Sequence, residues 1–101
     1  MVIKSSVSSD GRELTISVEG RFDFNSSELF RNTYKDCQYQ PKHYVIDLER
    51  ADYLDSSALG MLLALRDHAK GDGSDIRIVN CAPDIKKIFS ITKLDGLFTI
   101  E

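Results

Sequence analysis

Apolar residues occupy every second position of the segment ELTISVEG, which begins at Glu13: these are Leu14, Ile16 and Val18. Because successive side chains of a strand point to opposite faces, this pattern predicts a strand with one buried face and one solvated face. The preceding run VIKSSV is its expected partner, since the connector SSDGR contains an Asp-Gly pair of the kind that forms tight hairpin turns. The pattern therefore predicts an antiparallel hairpin at the start of the fold.

The hydrophobic period changes in the next segment, RFDFNSSELFRNTYKDCQ, which predicts the first helix. Four residues share the predicted buried face: Leu29, Phe30, Tyr34 and Cys37. Asn25 or Ser26 is available as the N-cap, because short polar side chains accept hydrogen bonds from the first free amides of a helix. Pro41 is expected to end the segment.

Strands and helices then alternate. YVIDL is a short apolar run typical of a central strand, a second helix is expected from Asp55 to about Lys70, and GDGSD is expected to turn into the strand IRIV. A third helix starts in APDIKKIF, where Pro83 suits a first helical turn. A last turn, LDGLF, leads to FTIE, which is either a short edge strand or a frayed terminus.

This order predicts an α/β fold: a mixed sheet of about four to five strands, opened by the hairpin and packed against about four helices, mainly on one face. The 101 residues are enough for one hydrophobic core and too few for two ordinary domains, so residues 1–101 are expected to form a single domain.

Composition narrows the classes of function. Thirteen basic and sixteen acidic residues give a net charge of −3 without a long basic run, which disfavours nucleic-acid binding. No apolar run approaches the roughly 20 residues that span a bilayer, and no signal peptide is evident, so a cytoplasmic protein without membrane attachment is expected. Cys37 and Cys81 are expected to be buried reduced thiols, and no metal or cofactor site is expected.

The segment YLDSSALGMLLALR places two serines beside an acid at the start of the second helix. With Asp55 as the N-cap, Leu54 and Leu59 take the positions that a hydrophobic staple joins. The two serines then lie in the first turn, where they either cap the helix or present hydroxyls to solvent.

The second helix is apolar on nearly all sides in its first two turns, unlike an ordinary surface helix. If Leu59, Leu62 and Leu63 form its inner face, Met61 and Leu65 remain as candidates for an exposed apolar patch beside the serines. Such a patch indicates contact with another protein.

Nearly the whole chain resembles the STAS-domain proteins of the bacterial anti-sigma-factor antagonist type. The likeness rests on YLDSSALG, close to the family motif Asp-Ser-Ser-Gly-Leu-Gly, and on GRFDF, YVIDL and VNCAPDIKKIFSITKLDGLFTI in their order. The resemblance implies the STAS fold, phosphorylation at Ser56 with Ser57 as the alternative acceptor, and a partner-facing surface flanked by Asp23 and Asp55. Ala58 departs from the family glycine, which implies a slightly stiffer helix start.

The resemblance also implies how such a protein works. The unphosphorylated form binds an anti-sigma factor or a serine kinase of the GHKL type, phosphorylation at Ser56 releases it, and a phosphatase of the PP2C type resets it. Asp23, Asp55, Ser56, Ser57, Met61 and Leu65 are the expected partner-binding residues. No Walker loop, kinase glycine loop or nucleophile-base-acid set is evident, so the chain is expected to be a substrate of these enzymes and not an enzyme.

The sequence leaves one other function open, a constitutive small-ligand-binding or scaffold STAS domain of a sensory or transport-associated complex. It also leaves open the cellular process that is controlled, the active phospho-state, and whether the chain is a monomer or a weak homodimer.

Overall fold

The computed structural model describes residues 2–39, 41–69 and 75–101. The strands are β1 Val2–Val7, β2 Glu13–Phe22, β3 His43–Asp47, β4 Ala51–Leu54, β5 Asp75–Val79 and β6 Thr99–Ile100. The helices are α1 Ser27–Lys35, α2 Ser56–His68 and α3 Pro83–Ile91. Within the described ranges, two 3₁₀ turns, Phe24–Ser26 and Leu94–Gly96, precede α1 and β6.

The strands form one mixed sheet in the order β1-β2-β3-β5-β6, with β4 paired to the end of β2. β1 and β2 are antiparallel and all other pairs are parallel. The hairpin is confirmed, and Gly11 at its turn has φ +75°, a conformation that glycine adopts without steric cost. The Ser8 hydroxyl donates to Asp10 Oδ1 at 2.6 Å in this turn, which lowers the pKa of Asp10.

The core lies on one face of the sheet. The buried strand residues alternate as predicted: Leu14, Ile16 and Val18 on β2, Tyr44 and Ile46 on β3, and Ile76 and Ile78 on β5. The parallel registers pair Leu14 with Tyr44 and Tyr44 with Ile76, so these side chains share one face. All three helices bury residues in the same cluster, which confirms a mixed sheet covered by helices.

Counts of elements differ slightly from the prediction within the described residues: there are six strands and three α-helices, where about four to five strands and about four helices were expected. The segment LDGLF, predicted as a turn, contains the 3₁₀ turn Leu94–Gly96. The strand missed in the sequence is β4, ADYL, because its pattern of two buried ends around two exposed residues lacks a period of two. FTIE forms the short edge strand β6. The predicted GDGSD turn and Lys70 lie outside the described residues, except for Asp75 at the start of β5.

The first helix also starts differently. Phe30 and Tyr34 are buried as predicted, whereas Leu29 is exposed and Cys37 lies beyond the helix end. Ser26 precedes α1 but makes no side-chain capping bond there, because the chain enters α1 through a 3₁₀ turn that is capped by Asp23. Cys37 and Cys81 are free thiols, each half-buried, and burial raises the pKa of Cys81.

Candidate functional site

Four of the predicted site residues, Asp23, Asp55, Ser56 and Ser57, lie just after two parallel strands that end together. Arg21 pairs with Tyr53 and Phe22 with Leu54, so the residues that follow these strands emerge at the same edge of the sheet. The Asp55 N–H donates to Phe22 O at 3.4 Å and continues the pairing by one step. The unpredicted strand β4 is thus the element that brings the Asp23 loop and the start of α2 together.

Asp55 is the N-cap of α2, as predicted. Its backbone is extended, with φ −115° and ψ −177°, and its Oδ1 accepts a hydrogen bond from the Ala58 N–H at 3.0 Å. This bond satisfies one of the amides that a helix start leaves without an intrahelical acceptor. Asp55 therefore fixes the position at which the two serines enter the helix.

Asp55→Ala is expected to lower the free energy of unfolding by about 1 kcal/mol, because the Ala58 amide loses its side-chain acceptor. Chemical denaturation of the two proteins measures this difference. Asp55→Asn is the matched control, since an asparagine oxygen caps a helix about as well as an aspartate. Equal losses in both variants would show that the charge and not the cap stabilises the helix start.

Asp23 caps the neighbouring 3₁₀ turn in the same way. Its Oδ1 accepts from the Asn25 N–H at 3.1 Å, and its own N–H donates to Ser26 Oγ at 3.4 Å. The buried Ser26 hydroxyl also donates to Arg21 O at 3.3 Å, which ties the turn back to β2. Asp23 is thus held in place beside α2, which the 3₁₀ turn contacts.

The two serines differ in exposure. Ser56, the first residue of α2, is exposed, whereas Ser57 is half-buried and Ala58 is fully buried. The spacing of the sequence did not distinguish the two hydroxyls. The structure shows that Ser56 is the more accessible of them, although both lie in the first turn.

The exposed patch predicted at Met61 and Leu65 is wrong: their side chains are 9% and 0% exposed. The inner face of α2 consists of Ala58, Met61, Leu62 and Leu65. The helix packs on the sheet and also against α1, where the rings of Tyr34 and His68 lie 4.8 Å apart. Leu63, assigned to the inner face, is instead 39% exposed.

Different apolar residues are exposed at the edge of the sheet where α2 begins. Phe24, in the 3₁₀ turn, is 71% exposed, and Tyr53, at the end of β4, is 39% exposed. The Arg21 guanidinium lies 3.8 Å from the centre of the Tyr53 ring, and its Nε is 3.4 Å from Asp23 Oδ2. We call the surface formed by Arg21, Asp23, Phe24, Tyr53 and Ser56 the serine surface.

One feature of the amino-acid sequence indicates an exposed aromatic residue on this surface. GRFDF continues the strand alternation past the buried Phe22 to a second phenylalanine, Phe24, which has no place in the core once the strand has ended. Tyr53 could be found only by recognising β4 as a strand paired with Arg21.

The serine surface offers hydroxyls, one carboxylate, an arginine and aromatic rings. Among the described residues, no group of three or more His, Cys, Asp or Glu side chains is arranged to hold a metal ion. No helix of the described chain is long and apolar enough to cross a membrane. Its exposed aromatic rings and exposed Ser56 hydroxyl suit the serine surface to contact with another protein and to modification of that hydroxyl.

Comparison with known proteins agrees with this geometry. The family model described as "Mlab, STAS domain" matches residues 5–99. A STAS-domain containing protein of Pseudomonas aeruginosa strain UCBPP-PA14 is 50% identical over 101 residues, covering 100% of both chains. The anti-sigma-B factor antagonist of Bacillus subtilis strain 168 is 23% identical over 101 residues, covering 100% of this chain and 93% of the relative.

Among solved structures, the fold is similar to that of the anti-sigma factor antagonist SpoIIAA in its unphosphorylated form. The TM-score is 0.83 at 18% sequence identity, with 99% of this chain and 88% of that chain covered. This likeness shows the fold. The family model matches residues 5–99, and the Pseudomonas aeruginosa relative is 50% identical over the whole chain. The chain therefore belongs to the STAS-domain family.

Proposed function

We propose that this chain is an anti-sigma-factor antagonist, a single STAS domain whose binding to a protein partner is switched by phosphorylation of Ser56. The observation that supports this most directly is the exposed Ser56 at the start of α2, at the edge of the sheet where the exposed Phe24 and Tyr53 also lie. Ser57 is the weaker candidate because it is half-buried.

The proposed partner of the unphosphorylated form is an anti-sigma factor or a serine kinase of the GHKL type. Support comes from the Bacillus subtilis relative, which is named an anti-sigma-B factor antagonist. Because the serine surface supplies no phosphoryl donor, the kinase and a PP2C-type phosphatase are separate proteins in this proposal. A kinase of this type transfers the phosphoryl group of ATP, and the proposal therefore places the chain in the cytoplasm, where ATP is present.

A phosphate on Ser56 would act at the surface without unfolding the domain. It adds about −1.5 to −2 charge, and the amides and dipole at the start of α2 favour an anion there. The same dianion would stand beside Asp55 and next to apolar side chains that a partner covers. Desolvating it in that contact is costly, so the unphosphorylated form is the one that binds.

Intact-mass measurement tests the modification. Protein from its native cells is expected to show a kinase-dependent gain of about 80 Da, the mass of one phosphoryl group, with fragmentation placing it on Ser56. Strains with and without the genetically neighbouring kinase or phosphatase provide the comparison.

Two variants locate the acceptor. Ser56→Ala should abolish the mass gain and Ser57→Ala should keep it; the reverse result would move the acceptor to Ser57. A mass that never changes under any condition would contradict the switch. It would leave a constitutive ligand-binding or scaffold domain as the better function.

A further inference from the structure

The outer edge of β1 is unpaired by any strand of the described chain, since β1 pairs with β2 alone. In an antiparallel pair, residues that exchange hydrogen bonds alternate with residues whose backbone groups face away. The Ser8 N–H donates to Glu13 O at 2.9 Å, and the register runs without a bulge from Val7–Leu14 back to Val2–Glu19. The backbone groups of Ile3, Ser5 and Val7 therefore point outward.

A groove borders residues 5–7 of this strand. It has a volume of about 370 Å³ and is lined on one side by Ser5, Ser6 and Val7 of β1 and by Leu14 of β2. The other side is formed by the end of α1 and the segment that follows it: Asn32, Thr33, Asp36, Cys37, Gln38 and Tyr39. A strand edge beside a helix is the geometry into which an extended peptide can add as a further strand.

We propose that this groove binds an extended segment of a partner protein that adds to β1 and carries a lysine or arginine facing Asp36. Asp36 is exposed and is the one charged residue among the described residues that line the groove. A cation is therefore the complementary group, while the hydroxyl and amide side chains around it suit small polar neighbours.

A second copy of this chain fits the groove less well. The side chains of Ile3, Ser5 and Val7 lie on the face of the sheet that the helices cover. If two β1 strands paired edge to edge, these are the side chains that each copy would place near α1 of the other. None of them is basic, so Asp36 would gain no counter-charge. The charge thus favours a different protein as the occupant.

The groove and the serine surface lie at opposite ends of β2. The groove borders Leu14, whereas the serine surface follows Phe22, eight residues later, a separation of roughly 25 Å along a strand. Two partners could therefore bind at once, and groove binding is expected to be independent of the state of Ser56.

Selection from a phage-displayed library of random octapeptides on the immobilised full chain tests the proposal. Enriched peptides are expected to carry a lysine or arginine, and their synthetic versions should shift the amide NMR signals of residues 5–7 and 32–39. Ser5→Pro removes an outward N–H without touching a bond to β2, a position where edge strands tolerate proline. It should weaken binding at least tenfold, whereas Ser5→Ala should change it less than twofold.

Two further variants test the charge of Asp36 and the independence of the groove from Ser56. Asp36→Asn should weaken binding several-fold, and Ser56→Asp should leave it unchanged. Methylation of alternate backbone nitrogens of the peptide removes the same hydrogen bonds from the peptide side, so the test stands even if Ser5→Pro fails to fold. Absence of enriched peptides, equal binding to the proline variant, or signal shifts around Ser56 would overturn the proposal, as would a dimer of this chain that Ser5→Pro dissociates.

Discussion

Phosphorylation of Ser56 is expected to weaken binding of the partner of the unphosphorylated form by about two to three orders of magnitude. That factor corresponds to roughly 3 to 4 kcal/mol, the scale of placing a hydrated dianion inside a contact that is otherwise apolar. Phe24 and Tyr53 supply the apolar part of the contact, and Asp55 adds a like charge beside the phosphate. Titration calorimetry with purified partner and both forms of the chain measures the difference.

Point variants give the same test without a kinase. Ser56→Asp carries a smaller charge than a phosphate, so it should reproduce part of the loss, and Ser56→Ala should bind like the unmodified protein. Ser57→Asp is the matched control one residue away, and its smaller expected effect follows from the half-buried position of that side chain. Equal affinities for Ser56→Asp and Ser56→Ala would contradict the proposed switch. Ser56→Ala that binds no partner would contradict the direction of the switch.

Leu65→Ala is expected to lower the free energy of unfolding by about 3 kcal/mol, whereas Leu63→Ala should change it by less than about 1 kcal/mol. The two leucines lie two residues apart on α2, but Leu65 is fully buried and Leu63 is 39% exposed. Removing a buried leucine side chain loses the free energy of its transfer out of water and leaves a cavity. Removing the partly exposed Leu63 side chain loses less transfer free energy and leaves a smaller cavity. Urea denaturation of both variants at equal pH compares them directly.

The same pair tests the orientation of α2 and the function of its outer face. If Leu63 faced the core and Leu65 lay on an exposed patch, as the sequence pattern predicts, Leu63→Ala would cause the larger loss. Partner titration adds a second measurement: Leu63→Ala keeps the fold, so any loss of affinity in that variant reports contact at the surface. Leu65→Ala that is as stable as the unsubstituted chain would contradict the packing of α2 against the sheet and α1.

The sequence predicted the hairpin, the central strand β3, the helix cap at Asp55 and the mixed α/β fold, because each depends on local chemistry, on alternation or on a short apolar run. The orientation of α2 was not recoverable in this way. The first two turns of α2 are apolar on nearly all sides, so the sequence does not show which face is buried. The contact of Tyr34 with His68 depends on the position of α1, which is set by the tertiary structure. Local sequence pattern therefore predicts helices and strands better than it predicts which of them pack together.

The serine surface shows the same limit. Asp23, Asp55 and Ser56 are predicted from their motifs, whereas Arg21 and Tyr53 meet only because β4 pairs with the end of β2, more than 30 residues away in the chain. A four-residue strand with two exposed central residues carries almost no periodic signal. The tertiary pairing therefore supplied the residues that the sequence pattern missed.

The central role of β2 has a consequence for how the domain opens. This one strand pairs with β1, β3 and β4, so its amides should exchange with solvent only when most of the sheet separates. The start of α2 is attached to its last residues through the Asp55 N–H and Phe22 O. Ser56, the proposed phosphorylation site, therefore directly follows a residue that is hydrogen-bonded to the strand expected to exchange most slowly. We expect phosphorylation of Ser56 to change the surface of the domain and to leave the sheet unaltered.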